Sequence, residues 1–442
     1  MLTGFVAGWD ASALFFIYPE IRDGLAGGDE TSASWVLSIT SIVSAALLLQ
    51  AGRIADRYGH QRTYMVGAML YTAAAVAAAF APELWTLVAA RATQAAGLAI
   101  MGPAAIAIIL IAAPPNERAA AVGRWGLTTA VAGVIGPVVV AILIDAVSWR
   151  VLFALQIPLG LALVVLGRVD AGIDRPDSST VIRVSDSVLG IVSLVALVWP
   201  IVEGNDWGWA SPRTVVSFAI AVGGISILVA RSHGSPSPAI PLDLFTKSTF
   251  STALLISVTA GILFFAQWLA LLLFLVEAWG YGLVASALLL TLMPGSMMFL
   301  SVPLGRVADI YGSRRVMVPG AALYTISSGT FWLTADGDRS LPLLIPVLVT
   351  AGIAMAALWP TLTSLGNIGV AQHRLATSSA TIQTVQRVGA SLGIALVVAL
   401  VGSAGDGDVV AQHLRAIAVL PIAGLATTVL ALLIPAPAKP RR

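Results

Sequence analysis

Long apolar stretches follow one another along the whole chain, broken by short segments rich in charged residues, glycine or proline. A run of roughly 17 to 25 apolar residues wound as an α-helix is long enough to cross the ~30 Å hydrocarbon layer of a bilayer. Fourteen such spans are predicted, at residues 2–20, 34–51, 63–81, 84–112, 120–144, 150–168, 187–203, 213–230, 250–276, 283–304, 315–334, 341–365, 377–402 and 416–434. The predicted fold class is therefore all-α, a polytopic membrane protein. The first span starts almost at Met1, lacks the basic lead of a secretory signal and carries Asp10 inside its apolar run, so it is expected to be retained.

An even number of spans puts both chain ends on one side of the membrane. Basic residues choose the side, because cytoplasmic loops are enriched in Lys and Arg. The loops between spans 2 and 3, 4 and 5, 6 and 7, 8 and 9, 10 and 11, and 12 and 13, with their flanks and the C-terminal tail, hold 17 Lys and Arg; the opposite loops hold Arg22, Arg150, Arg213, Arg339 and Arg415. Both termini are thus expected in the cytoplasm and the chain in the cell membrane as a multi-pass protein. Trp35, Trp85, Trp149, Trp207, Trp209, Trp279 and Trp332 fall near the other face, where an aromatic belt is expected.

Composition sharpens this picture mainly by exclusion. The chain of 442 residues is 58% hydrophobic and 10% charged, against about 25% charged in a soluble domain. A net charge of +2, spread over short loops, excludes a nucleic-acid partner. With no cysteine there is no disulfide and no thiolate chemistry. Lys247 and Lys439 are the only lysines, and neither closes a GxxxxGK[ST] phosphate loop, so transport work must draw on an ion or substrate gradient. His60, His233, His373 and His413 are all expected in loops, so no haem or metal cage and no cofactor are expected. No His/Asp/Glu or Ser/His cluster sits at one depth, which argues against an integral-membrane enzyme and leaves no catalytic residue to name.

Two short loop sequences repeat. GRIADRYGHQR (Gly52 to Arg62) and GRVADIYGSRR (Gly305 to Arg315) agree at seven of eleven positions and lie 253 residues and eight spans apart. Repeated bundles related by an axis along the membrane normal are the architecture of rocking transporters. A plain six-plus-six arrangement would separate the copies by six spans, so spans 7 and 8 read as an insertion. The expected organisation is an N-terminal six-helix bundle over 1–169, two inserted helices with flanking linkers over 170–248, and a C-terminal six-helix bundle over 249–442.

Within the spans the polar residues are few and carry the chemistry. Asp10 lies about ten residues into span 1, a position that costs ~3 kcal/mol on insertion scales and marks function by default; it is the candidate proton carrier. Arg91 and Gln94 lie in span 4 as RATQAAGLA, and an arginine that never releases its proton can only bias a nearby acid or hold an anion. The alternative for Asp10 is a purely structural pairing with an arginine that locks helices together, and for Arg91 a structural arginine hydrogen-bonding to carbonyls. Span 5 carries GLTTAVAGVIGP, whose small residues Gly126, Gly133 and Gly136 make a groove for a neighbouring helix while Pro137 supplies a kink. Simple close packing is the alternative there. In span 13, Arg387 stands with Gln383 and Gln386 beside it.

Together these strings resemble the major facilitator superfamily, and within it the fourteen-helix drug:proton antiporter family, over nearly the whole chain. Gly52, Asp56, Arg57 and Gly59 match the loop motif GxxxDRxG, with Gly305, Asp309 and Gly312 as a degenerate second copy; the resemblance implies a gate that holds the cytoplasmic side closed. WDASALFFIYPEI is similar to the pattern LDxTIVNVALPxI through Asp10 and Pro19, with Phe15 in place of Asn. Arg91, Gln94 and Gly97 match RxxQGxG, with Ala95 replacing a glycine. The span 5 string looks like the antiporter motif, although Val140 and Ala141 replace its closing glycines. WRVLFALQIPLG (Trp149 to Gly160), EGNDWGW (Glu203 to Trp209) and QRVGASLGIA (Gln386 to Ala395) are further likenesses. The implied fold is two six-helix bundles plus two inserted helices.

The reading that follows is proton-coupled export of lipophilic small molecules, with Asp10 and Arg91 coupling the proton and Trp9, Gln94, Trp268, Trp359, Gln383, Gln386 and Arg387 as substrate contacts. One acid against two arginines at membrane depth favours neutral or anionic amphiphiles over dications, with Glu203 and Glu277 expected at the outer mouth. Protons, membrane lipid and the substrate are the expected partners, and the protein is expected to be monomeric. A dedicated exporter of one metabolite or lipid-like molecule is the alternative; a membrane sensor that kept the fold and lost transport would normally add a soluble module.

Overall fold

The computed structural model describes residues 1–25, 30–146, 148–168, 184–233, 242–371, 374–402 and 409–434, all helical or connecting, with no strand among them. Most of the two expected linkers, the C-terminal tail and His373 lie outside the described residues.

A helix coincides with each expected span: α1 (Leu2–Gly24), α2 (Glu30–Tyr58), α3 (His60–Ala79), α4 (Leu84–Ala112), α5 (Arg118–Ala146), α6 (Arg150–Gly167), α7 (Val184–Trp207) and α8 (Pro212–Ser232), then, after the short α9 (Leu242–Phe245), α10 (Ser248–Leu273), α11 (Leu283–Leu290), α12 (Leu292–Tyr311), α13 (Arg314–Thr334), α14 (Leu341–Gly366), α15 (Leu375–Gly402), α16 (Val409–Ile417) and α17 (Val419–Leu432). Seven helical segments among the described residues are long and apolar enough to cross a membrane. Large apolar side chains such as Phe299 and Leu333 stand more than 70% exposed, at 72% and 74%. That is tolerable where the surrounding solvent is lipid and not water. The protein is membrane-embedded.

The tenth span is made of α11 and α12, which meet at Thr291, three residues before Pro294, with the Thr291 N–H still bonded to the Ala287 carbonyl at 3.1 Å. Proline has no N–H to donate to the carbonyl four residues back, so the ladder is interrupted at that turn. The ninth span ends in a π-helical segment, Phe274–Ala278, a rare geometry often found where function needs a re-aimed side chain.

The chain divides into two compact units. The first comprises Met1–Ala112, Ile135–Leu242 and Gly369–Thr384. In it α3 packs on α4 and α6, α2 packs on α4 and α7, and α7 packs on α8. Glycine makes the tightest of these approaches possible: a Cβ on Gly67 would lie 2.7 Å from the Gly97 carbonyl oxygen, and one on Gly97 would lie 2.7 Å from the Tyr71 nitrogen. Helices α7 and α8 form a pair tied by Asp186 of α7, which accepts from Arg231 of α8 at 2.9 Å. It is tied to α2 by an edge-to-face contact of Trp35 with Trp199 at 5.4 Å.

The second unit comprises Ala113–Val134, Asp243–Ile368 and Val385–Arg442. Its core is built where α10, α14, α13 and α17 meet, around buried Phe274, Phe331, Tyr324 and Leu348. The first half of α5 packs on α12 through glycine. A Cβ on Gly123 would lie 2.6 Å from the Ser301 carbonyl oxygen, one on Gly133 would lie 3.1 Å from Pro294, and one on Gly305 would lie 2.8 Å from the Ala119 carbonyl oxygen. Of the span 5 string, Gly126 and Gly133 face Met297 and Pro294 of α12.

Candidate functional site

The polar residues of the first unit converge on one buried ring. Arg91, Gln94 and Gly97 recur every three residues on α4 and so share a face; the glycine brings α3 close and seats Tyr71 beside the two polar side chains. The Arg91 guanidinium grips Asp10 of α1 with both terminal nitrogens, Nη1 to Oδ1 at 2.6 Å and Nη2 to Oδ2 at 3.1 Å. The same two nitrogens donate to Gln94 Oε1 at 2.5 Å and to Thr40 Oγ1 of α2 at 3.0 Å. Gln94 Nε2 donates to Gln156 Oε1 of α6, and Gln156 Nε2 returns to Asp10 Oδ1 at 3.4 Å. Asp10, Arg91, Gln94 and Gln156 are at most 4% exposed.

This closed circuit joins α1, α2, α4 and α6. A planar fork matched to a carboxylate is the strong, directional form of an ion pair, and burial makes each member depend on the others. Phe153, one turn before Gln156, lies under the guanidinium at 5.9 Å. The Arg91 Nε–H has no acceptor among the described residues. Chemically, the ring pairs one buried carboxylate with one guanidinium that also has Gln94 and Thr40 as acceptors.

The repeated loop strings build a second, paired feature. Gly59 and Gly312 hold the same backbone position in the two copies, and both sit at positive φ, 103° and 89°, a region that L side chains rarely enter. Asp56 accepts from the Thr377 backbone N–H at 3.0 Å and from its hydroxyl, at the N-terminus of α15. Asp309 accepts from the backbone N–H groups of Ala119 and Ala120 at 3.1 and 3.0 Å, at the N-terminus of α5. Each motif aspartate therefore satisfies helix-end donors that have no partner within their own helix, where the helix dipole favours negative charge. The helices capped, spans 5 and 13, are themselves eight spans apart, like the motif copies. Gly52 is buried on α2 near Asp56, and Arg57 lies 5.9 Å from the Tyr58 ring.

The second unit contains a cavity. Its walls are the rings of Trp125, Phe264, Trp268 and Trp359, the thioethers of Met293, Met297 and Met355, Pro294, and Gly126, Thr129 and Ala130 of α5. Among the described residues no charged side chain lines it. Of the expected substrate contacts it brings together Trp268 and Trp359.

The others lie elsewhere. Trp9 is buried and stacks on Phe5 at 6.1 Å, and Gln94 is engaged at both ends by the polar ring. Gln383 donates to the Ser379 carbonyl at 3.3 Å, Gln386 has its backbone carbonyl against Gly261, and Arg387 lies over the Phe265 ring at 5.8 Å. Gly136 is buried in α5. The side chains of Phe15, Pro19, Pro137, Val140 and Ala141 lie outside the described residues.

One expectation needs correction. The sequence pattern predicts a loop at His413; it lies in α16, buried, with Nε2 at 2.8 Å from Glu277 Oε2 and Nδ1 at 2.8 Å from the Val409 carbonyl. The sequence VVAQHLRAI is polar enough to pass for a loop, but one face of its short helix, with His413, Ala416 and Ile417, is buried. His60 likewise opens α3. Gln156, Thr40, Tyr71 and Trp125 were not picked out. A glutamine in the otherwise apolar FALQIPLG was the one signal that pointed to Gln156.

Comparison with known proteins follows the geometry. The family model of the Major Facilitator Superfamily matches residues 1–394. The multidrug resistance protein Stp of Mycobacterium tuberculosis (strain CDC 1551 / Oshkosh) is 26% identical over 391 residues, covering 88% of this chain and 72% of its own. The probable actinorhodin transporter of Streptomyces coelicolor is 28% identical, covering 95% of this chain and 75% of its own. The crystal structure of the human organic anion transporter MFSD10 superposes with a TM-score of 0.71 at 12% identity, covering 98% of this chain and 97% of its own; at that identity the likeness is one of fold.

Proposed function

The chain belongs to the Major Facilitator Superfamily, and from that premise we propose that it is a proton-coupled exporter of hydrophobic small molecules working by alternating access. The observation that carries this reading is the buried Asp10–Arg91 fork. A carboxylate held this deep has a strong claim to function, and its partner is an arginine, which stays charged through the whole cycle. In the outward-open state Asp10 takes up a proton and releases the guanidinium, which keeps Thr40 and Gln94. The bundles rock, and return of the proton to the cytoplasm accompanies substrate loading and restores the fork.

Gln94 and Gln156 are positioning residues in this scheme: they fix the carboxylate and the guanidinium against one another. Asp56 and Asp309 act as latches, since each caps the N-terminus of a helix eight spans removed from the other's. Fourteen membrane spans, two six-helix bundles over 1–169 and 249–442 with inserted helices over 170–248, cytoplasmic termini, a cell-membrane location and a monomeric state complete the reading. Relatives named for multidrug resistance and antibiotic transport support efflux as the direction. An exporter dedicated to one metabolite would use the same machinery and differ only in the walls of its substrate cavity.

Reconstitution into liposomes with an imposed pH gradient tests the reading. Efflux of a lipophilic probe should follow the gradient and stop when a protonophore collapses it. Efflux at the same rate without the gradient would contradict proton coupling.

A further inference from the structure

We propose that His413 and Glu277 form a second proton-binding site, separate from Asp10, and that the proton they share clasps α16 to the π-helical end of the ninth span. The transport reading enters only in placing this end of the bundle on the outer side; the site itself rests on the contacts of one imidazole. His413 is 2% exposed, and each of its ring nitrogens faces an oxygen at 2.8 Å. Nδ1 faces the Val409 carbonyl, which can only accept, so Nδ1 carries a hydrogen. Nε2 faces Glu277 Oε2, and a neutral imidazole with its hydrogen on Nδ1 offers only a lone pair there. A lone pair and a carboxylate oxygen repel at that distance. One further proton is needed, either on Nε2 as imidazolium against carboxylate or on Oε2 as carboxylic acid against neutral imidazole, and the two arrangements hold the same number of protons.

The surroundings give this proton a mechanical consequence. The Glu277 side chain is 48% exposed, so exchange with water is open. Its segment is anchored: Trp279 donates its indole N–H to the Asp336 carbonyl at 2.9 Å, and Arg339 donates to the Trp279 and Gly280 carbonyls at 2.6 and 3.0 Å. The other partner is short, since α16 has nine residues, too few to hold a helix without packing, and His413 is the polar member of its buried face. Helices α10 and α17 bring no titratable side chain to α16. Helix α13 brings Tyr324 in its middle and Arg314 and Arg315 in its first turn, while Arg415 of α16 and Asp336, Asp338 and Arg339 of the loop after α13 are exposed. Glu277 is therefore the charged group that faces the imidazole. The clasped form binds one proton more than an open form with ionised Glu277 and neutral His413, so acid closes the clasp and rising pH opens it.

Opening is read at Ala416, 1% exposed on the same helix face as His413. In a chain with no cysteine of its own, Ala416→Cys is labelled with a water-soluble maleimide in the full-length protein in lipid nanodiscs. Imidazoles in general titrate between about pH 5 and 8, which sets the range to scan. Dividing the rate by that of Val409→Cys, an exposed position of the same helix, removes the pH dependence of thiol reactivity. The ratio should rise with pH, by up to about tenfold per unit where one proton is lost. Glu277→Gln presents an amide N–H to the Nε2 lone pair and needs no added proton, so its ratio should stay low and flat. His413→Gln, whose amide can donate to ionised Glu277, should likewise lose the pH dependence.

A ratio that does not change with pH when both side chains are present overturns the proposal, even if His413→Gln fails to fold. A ratio that rises just as steeply in folded Glu277→Gln overturns it as well. Because labelling is read without a gradient, failure of pH-driven efflux would sink the transport reading alone, and a flat ratio would sink only this site.

Discussion

Asp10→Asn asks the ring for its energy and its purpose at once. Asparagine fills the same volume, keeps one acceptor oxygen toward Arg91 Nη1, and turns an NH2 group toward Nη2, where the carboxylate had accepted at 3.1 Å. The guanidinium, 1% exposed, is left without a counter-charge. Breaking a buried pair in this way costs about 3–5 kcal/mol, and the fully buried setting puts Asp10→Asn inside that range. Neutralising Asp10 with a proton presents the ring with the same imbalance, so the same energy is available to shift the balance of states, a factor of roughly a hundred to a few thousand.

Thermal and denaturant unfolding of the purified variant should therefore show a clear loss of stability. Arg91→Gln added to Asp10→Asn should recover about 2 kcal/mol relative to the sum of the singles, because it removes the stranded charge. In liposomes both variants should fail to move a probe with the pH gradient. Additive stabilities in the double-mutant cycle would refute the coupled pair, and undiminished gradient-driven transport by Asp10→Asn would remove Asp10 from the mechanism.

Arg91→Lys preserves charge but replaces four hydrogen bonds in a plane with a point charge, so gradient-driven transport should fall at least about tenfold; normal transport would mean that only charge matters. Asp56→Asn and Asp309→Asn should each weaken a helix cap by about 1 kcal/mol and move the balance toward inward-open about fivefold, read as faster labelling of a single cysteine introduced on the cytoplasmic side of a chain that has none of its own. Matched probes of charge −1, 0, +1 and +2 should be exported fastest when neutral, since the cavity walls carry no charge; fastest efflux of the +2 probe would point instead to Glu277.

Much of this was legible before any coordinates. Asp10 and Arg91 stand out because charge inside an apolar span is expensive, and Gly59 and Gly312 stand out because the loop string is repeated and a turn at positive φ needs glycine. What the pattern could not supply was pairing across distance: the fork joins residues 81 apart in sequence, and the two caps reach across 321 and 190. Thr40, Tyr71 and Gln156 are single polar groups in apolar helices, and only tertiary packing brings them to Arg91 and Gln94, with Gly67 and Gly97 letting the helix of Tyr71 close in. Gln383, Gln386 and Arg387, close along one helix, meet separate partners: the Ser379 carbonyl, Gly261 and the Phe265 ring.

The coupling of proton to substrate can be read directly. In weakly buffered solution, binding of a neutral probe to the purified protein should release about one proton per site, because substrate loading and deprotonation of Asp10 are linked and linkage is reciprocal. The account predicts this release in the wild type and its disappearance in Asp10→Asn that still binds the probe; release that persists unchanged in Asp10→Asn, or its absence from the wild type, would contradict it.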